Sequence, residues 1–192
     1  MAKTIYPEHR LVLRQIPGWD AVNAVAQRAG WQLLASNEGR GDAEYKKTLT
    51  WGVAPELWVT YIEDRITGIS VVVTYGVDQT STAELAKKLT LLLSPWSREE
   101  LLEPFSDSLT RVDVARRLVG MALAGSYDFD HAIFERISAA SQDQDPEIRN
   151  AAAWSTVYLS WPQTESMLHR MAESDPDERV RTGVRTLLDS SN

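Results

Sequence analysis

Hydrophobic positions recur on two different periods along this chain, and the period changes about half-way. Near the start, RLVLRQI (10–16) alternates weakly, predicting a short strand that Pro17-Gly18 breaks. Trp19, Val22, Val25, Ala26 and Ala29 then recur at helical spacing, with Gly30 where a helix C-cap glycine belongs. WQLLAS (31–36) is extended in character, and EYKKTLTW (44–51) alternates Tyr45, Lys47, Leu49 and Trp51 against Lys46, Thr48 and Thr50. ELWVTYIED (56–64) and ISVVVTYG (69–76), rich in β-branched and aromatic residues, flank RITG and predict a hairpin. Ser81 to Glu84 has capping-box spacing ahead of a helix carrying Leu85, Leu89 and Leu92. The pattern predicts an α+β domain, a mainly antiparallel sheet with one or two helices.

Beyond residue 93 strand signals stop. A short helix is predicted from SREE (97–100) to Pro104, then a longer one with Leu109, Val112, Ala115, Leu118, Val119, Ala122 and Leu123 on one face. Phe129, Ile133, Ile137 and Ala140 form the next stripe, and Ile148, Ala151, Ala152, Ser155 and Leu159 follow Asp145-Pro146. Met167, Leu168 and Met171 come after Pro162; Val180, Gly183, Val184, Leu187 and Leu188 come after Asp175-Pro176. These are six helices, readable as three hairpins.

Charge divides at the same place. The chain has 192 residues and a net charge of −7. Residues 1–93 hold 10 basic and 10 acidic side chains; residues 94–192 hold 10 basic, all arginine, and 17 acidic, so the second half carries the whole excess. We therefore place domains at 1–93 and 94–192. An acidic half argues against nucleic acid, whose phosphates dominate such affinity, and suits a basic protein partner. No apolar run is long enough to cross a bilayer and the N-terminus has no apolar signal stretch, so a cytoplasmic protein is expected, with no membrane partner. With no cysteine, disulfides and thiolate sites are excluded.

The phrase DQDPEIRNAAAW (143–154) is nearly repeated as SDPDERVRTGVR (174–185). Asp before a helix accepts first-turn amides, and Pro at the first helical position lacks an amide that would be orphaned anyway. Two such starts predict two equivalent helices side by side. On Asp145, Pro146, Ile148-Arg149 and Ala151-Ala152, and on Asp175, Pro176, Val180-Arg181 and Gly183-Val184, the second half resembles a HEAT-like repeat. The prolines are 30 apart and the hydrophobic-Arg pairs 32 apart, which makes the second turn two residues longer. The resemblance implies an all-α HEAT-like solenoid of three helical hairpins that binds protein. Arg149 and Arg181 are expected to be structural, pairing with carboxylates at neighbouring turns such as Asp175 or Asp177, at the surface.

Candidate chemistry is sparse. His9, His131 and His169 lie in separate elements, and DFDH (128–131) is better explained as a helix cap than as metal ligands, so no metal and no cofactor are expected. No nucleophile motif or phosphate loop is present. Trp19, Trp31, Trp51 and Trp58 are expected in the core of the first domain. Trp154, Tyr158 and Trp161 follow i, i+4, i+7 spacing, as a wide core stripe or as an exposed patch for a partner. Helix starts gather Glu103, Asp107, Asp143, Asp145, Glu147, Asp175, Asp177 and Glu178 on one edge, a negative strip able to steer a basic partner. The expected partner-binding residues are Asp143, Trp154, Tyr158, Trp161, Asp177 and Glu178, in a non-catalytic binding module of the bacterial immunity or inhibitor kind that masks a basic toxin or enzyme, or else an adaptor. The rival is a HEAT-like enzyme, a DNA glycosylase or chromophore lyase, using Trp154, Tyr158, Asp113 and Glu165.

Overall fold

The computed structural model describes residues 6–37, 46–106, 108–125 and 128–190. Its chain divides into two compact units, Met1–Ser97 and Arg98–Asn192. The loop 38–45 and Asp107 lie outside the described residues.

The first unit is a five-stranded antiparallel sheet: β1 (Tyr6–Val12), β2 (Gln32–Asn37), β3 (Lys46–Ala54), β4 (Leu57–Asp64) and β5 (Ser70–Gly76), in the order β1-β5-β4-β3-β2. Helix α1 (Trp19–Ala29) lies between β1 and β2 in sequence, and α2 (Gln79–Leu93) follows β5. Gly30 ends α1 in the left-handed region, φ 67°, where its amide reaches Ala26 and Gln27 carbonyls. Asp78, not Ser81, caps α2, accepting the Ser81 amide at 2.8 Å.

Period 2 explains which residues meet the helices. Leu49 and Trp51 of β3, Val59 and Tyr61 of β4 and Val72 of β5 share one face and pack with Val22 and Ala26 of α1 and Leu85 and Leu89 of α2. Trp19 stacks on Trp51 at 6.0 Å and meets Tyr61 edge-on at 5.9 Å, while Trp31 packs against the same core. Trp58 corrects the expectation: lying between Leu57 and Val59, it points to the opposite face and stacks on its cross-strand partner Tyr75 at 5.6 Å. The Tyr61 hydroxyl donates to Glu63, two residues on and on the same face; burial, then that bond, push its pKa up. Asp64 Oδ1 turns into the hairpin, accepting the Ile66 amide at 3.1 Å and the Thr67 hydroxyl at 2.7 Å.

The second unit is helical: α3 (Arg98–Leu102), α4 (Arg111–Ala124), α5 (His131–Ala140), α6 (Pro146–Ser155) with a 3-10 turn (Thr156–Tyr158), α7 (Pro162–Ser174) and α8 (Glu178–Ser190). Consecutive helices pack as α3 on α4, α5 on α6 and α7 on α8; α4 also packs on α6, and α6 on α8. Leu118 and Met121, Ile133 and Ile137, Ala152 and Ala153, Met167 and Met171, and Val180 and Val184 are the buried stripes. Small residues bring α6 and α8 close: a Cβ on Gly183 would stand 3.3 Å from Asn150 Oδ1. Thr110 and Asp113 cap α4 reciprocally, and Asp130 caps α5 through the amides of Ala132 and Ile133. Burial alone would raise the Asp130 pKa, but the Arg98 fork at 2.8 Å and the two amides bring it below its ordinary value.

Leu118, at 0% exposure, is the most direct test of the helical core. Leu118→Ala should lower unfolding free energy by about 2–5 kcal/mol, whereas Leu91→Ala, at a position 78% exposed, should stay within about 0.5 kcal/mol. Urea unfolding of both variants measures the difference.

Candidate functional site

The best-defined polar structure in the helical unit is a ladder of aspartates and arginines at the starts of α6 and α8. Asp143 Oδ1 accepts the Asp145 amide at 2.8 Å, and Asp145 Oδ1 accepts the Glu147 amide at 2.9 Å. Asp175 and Asp177 repeat this 32 residues later: Asp175 Oδ1 accepts the Asp177 amide at 2.9 Å, and Asp177 Oδ1 the Arg179 amide at 2.8 Å. Arg149 Nη1 donates to the Asp143 carbonyl at 2.9 Å, and Arg181 Nη1 to the Asp175 carbonyl at 2.5 Å. Asp145 is therefore matched by Asp177, and Arg149 by Arg181.

This corrects the alignment on the two Asp-Pro pairs. Pro146 does open α6, but α8 begins at Glu178; Asp175 closes α7 and Pro176 sits in the intervening turn, where Gln144 sits in the earlier copy. The physical reason is that a cap acts on amides two or three residues ahead of it, and at α8 the carboxylate that does so is Asp177, on the Arg179 amide. Proline, with its fixed φ, serves equally well in a turn or in a first helical position.

The ladder is joined across the helices. Arg149 Nε reaches Asp175 Oδ2 at 2.8 Å and Nη2 reaches Oδ1 at 2.9 Å, a two-pronged bond between α6 and the entry to α8. The two side chains are only 8% and 3% exposed, so the pair is buried rather than at the surface. Every nitrogen of the guanidinium is engaged, since Nη1 also reaches the Gln144 carbonyl at 3.1 Å. The Arg149 fork, with the Asp177 amide, holds the Asp175 carboxyl below the usual carboxylate range. One step earlier, Arg111 Nε meets Asp145 Oδ2 at 2.5 Å, more exposed at 68% and 20%.

These engagements thin the expected acidic strip. Asp175 is buried and Asp145 both caps α6 and pairs with Arg111, which leaves Glu103, Asp143, Glu147 and Glu178 exposed and Asp177 half-buried. The aromatic set changes more. Helix α6 ends at Ser155, so Trp154, Tyr158 and Trp161 do not share one helical face. Trp154 is half-buried with its Nε1 3.8 Å from where a Gly183 Cβ would stand, against α8. Tyr158 ends the 3-10 turn, half-buried. Trp161 is 2% exposed and packs edge-on to Phe129 at 5.3 Å, a core ring and not a surface anchor. Of the residues considered for an enzyme, Asp113 is committed to its own cap, and Glu165 Oε1 lies 3.8 Å from His169 Nε2 one turn along α7.

No protein-family model, curated protein or solved structure matches this chain. Among the described residues there is no group of three or more His, Asp or Glu placed to hold a metal ion, and no helix is long and apolar enough to cross a membrane.

A second feature had no signal in the sequence. A cleft of about 350 Å³ opens where the α6–α7 connection meets α7 and the last turn of α8. Leu159, Trp161, Leu168 and Leu188 give it an apolar floor, and Ser160, Glu165 and His169 an exposed rim. Trp154, Tyr158 and Asp113 do not line it.

The buried pair has a definite energetic signature. Arg149→Ala should destabilise by about 3–5 kcal/mol, because it leaves the Asp175 charge buried and unpaired. Arg149→Met combined with Asp175→Leu should recover part of that loss, but not the turn bond to the Asp177 amide. The folded Asp175 pKa is lowered, so its contribution is fully present above about pH 4 and fades as pH falls through the folded value. Chemical unfolding from pH 7 to pH 2 should therefore show a shallower acid loss in Arg149→Met than in the parent.

Proposed function

We propose that residues 98–190 form a HEAT-like array of three hairpins, α3–α4, α5–α6 and α7–α8, and that the protein is a non-catalytic binding module for a basic protein. The pairwise packing of successive helices, with α4, α6 and α8 in contact in turn, supports the array. So does the repeat of 32 residues in turn, cap and arginine. The outward residues of α8, among them Arg179, Thr182, Thr186 and Asp189, are exposed and polar, as suits a solvent-facing helix of a stack.

The observation that carries the partner class is charge: the 17 acidic against 10 basic residues of 94–192, with Asp143, Glu147 and Glu178 exposed around the helix starts. Such a field raises association rates with a cationic surface and disfavours nucleic acid. Within this class, an immunity or inhibitor protein that masks a basic toxin or enzyme fits best, and an adaptor next. With Trp161 in the core, the reading rests on charge and not on the aromatic anchors.

Capture on the tagged protein from lysate of its own source, followed by mass spectrometry, tests the reading. The retained set should be richer in basic proteins than the lysate, and its association rate should fall steeply as salt shortens screening to about 8 Å or less. Reversing Glu147 and Glu178 to Lys should slow association while thermal unfolding changes little, whereas reversing Asp143 or Asp177 would also remove a turn or cap bond. A retained set no more basic than the lysate, or an association rate indifferent to salt, would sink it.

A further inference from the structure

We infer that the cleft between the α6–α7 connection, α7 and α8 receives a single arginine or lysine side chain presented by that basic partner. The inference rests on the reading of the chain as a binder of basic protein and adds where the contact is anchored. A cleft of about 350 Å³ lies at the small end of ligand-sized concavities, generally about 300–1,000 Å³, and suits a side chain better than a folded element.

Its walls match the two ends of such a side chain. The floor offers Leu159, Leu168 and Leu188 to an aliphatic stem, the part that lysine and arginine lay along apolar surface. At the rim Glu165 is 71% exposed and offers a carboxylate to the cationic head. Leu188 belongs to the last turn of α8, whose carbonyl end favours a cation. The opposite wall begins α7 at Pro162, where the helix end favours an anion, and Glu165 in that first turn already supplies it. The hydroxyls of Thr156 and Thr164 donate to the carbonyls of Ala153 and Trp161, so within the lining they are left only to accept. A stem with a charged, donor-only tip has both a floor and a counter-charge.

The contact is assigned to a side chain of a polypeptide, not to a free organic cation, because the cleft is open and a lone cation would keep much of its hydration there. The protein, at 21.6 kDa, suits two-dimensional NMR. The probes are end-blocked glycine peptides carrying one central arginine, lysine or citrulline, and free argininamide. The arginine and lysine peptides should shift the amides of Glu165, His169 and Leu188 and the Trp161 indole, and the isosteric but neutral citrulline peptide should not. Glu165→Gln should weaken binding up to about fivefold, the size of one exposed ion pair, and Glu165→Lys should abolish it with the spectrum otherwise preserved.

Citrulline binding as well as arginine, or argininamide binding as tightly as the peptide, overturns the inference. Shifts confined to Asp143, Asp177 and Glu178 also overturn it, yet they leave the wider reading intact. Conversely, a failed capture experiment with cleft shifts still present would remove the reading and keep a cation site.

Discussion

The buried two-pronged bond between Arg149 and Asp175 is the constraint around which the helical unit is arranged. It joins α6 to the entry of α8, and each partner also organises its own turn: Arg149 holds the Asp143 and Gln144 carbonyls, and Asp175 holds the Asp177 amide. A carboxylate and a guanidinium taken out of water cost several kcal/mol each unless their bonds are complete. Here they are complete in both directions. The pair therefore acts less as a source of net stability than as a register pin: a one-residue slip of α8 against α6 would leave two charges buried without partners. The apolar stripes of Ala152, Ala153, Val180 and Val184 supply attraction but tolerate sliding more readily.

The same economy of charge separates structural carboxylates from those free to act on a partner. Asp113, Asp130, Asp145 and Asp175 are spent on helix amides or on arginines, which explains their presence without any partner. Asp143, Glu147 and Glu178 keep exposed side chains beside them. Local backbone demands thus select which acids can carry a field outward. A reversal of Glu147 or Glu178 probes the field, whereas a reversal of Asp143, Asp175 or Asp177 would also probe the fold.

In the sheet unit, covalent alternation and burial divide the labour differently. One face of β3, β4 and β5 carries the Trp51–Tyr61–Val72 core beneath α1 and α2, while Trp58 and Tyr75 stack on the other, with Thr60 bonded to Tyr75 at 3.1 Å and to Thr50 at 2.8 Å. The β2 edge is exposed along its length, and this is why WQLLAS reads as extended without a clear alternation: with no buried face, period 2 leaves no trace.

Taken alone, the sequence was sufficient for whatever rests on short-range chemistry. Periods of 2 and 3.6 separated a sheet-bearing first half from a helical second half, because backbone geometry imposes them locally. Aspartate at Asp130 and Asp145 marked helix starts, since a cap acts within three residues of itself. The spacing of Ile148-Arg149 and Val180-Arg181 already contained the 32-residue repeat, although the more conspicuous prolines pointed to 30. Only the tertiary structure decided the rest. It placed Asp175 in a turn and buried it on Arg149, because burial depends on which helices close over a pair. It put Trp161 in the core once α6 ended at Ser155, since periodicity cannot foresee a break in the helix that carries it. And it assembled the cleft of Leu159, Glu165 and Leu188 from a connection and two helices, residues whose meeting no spacing along one chain segment can encode.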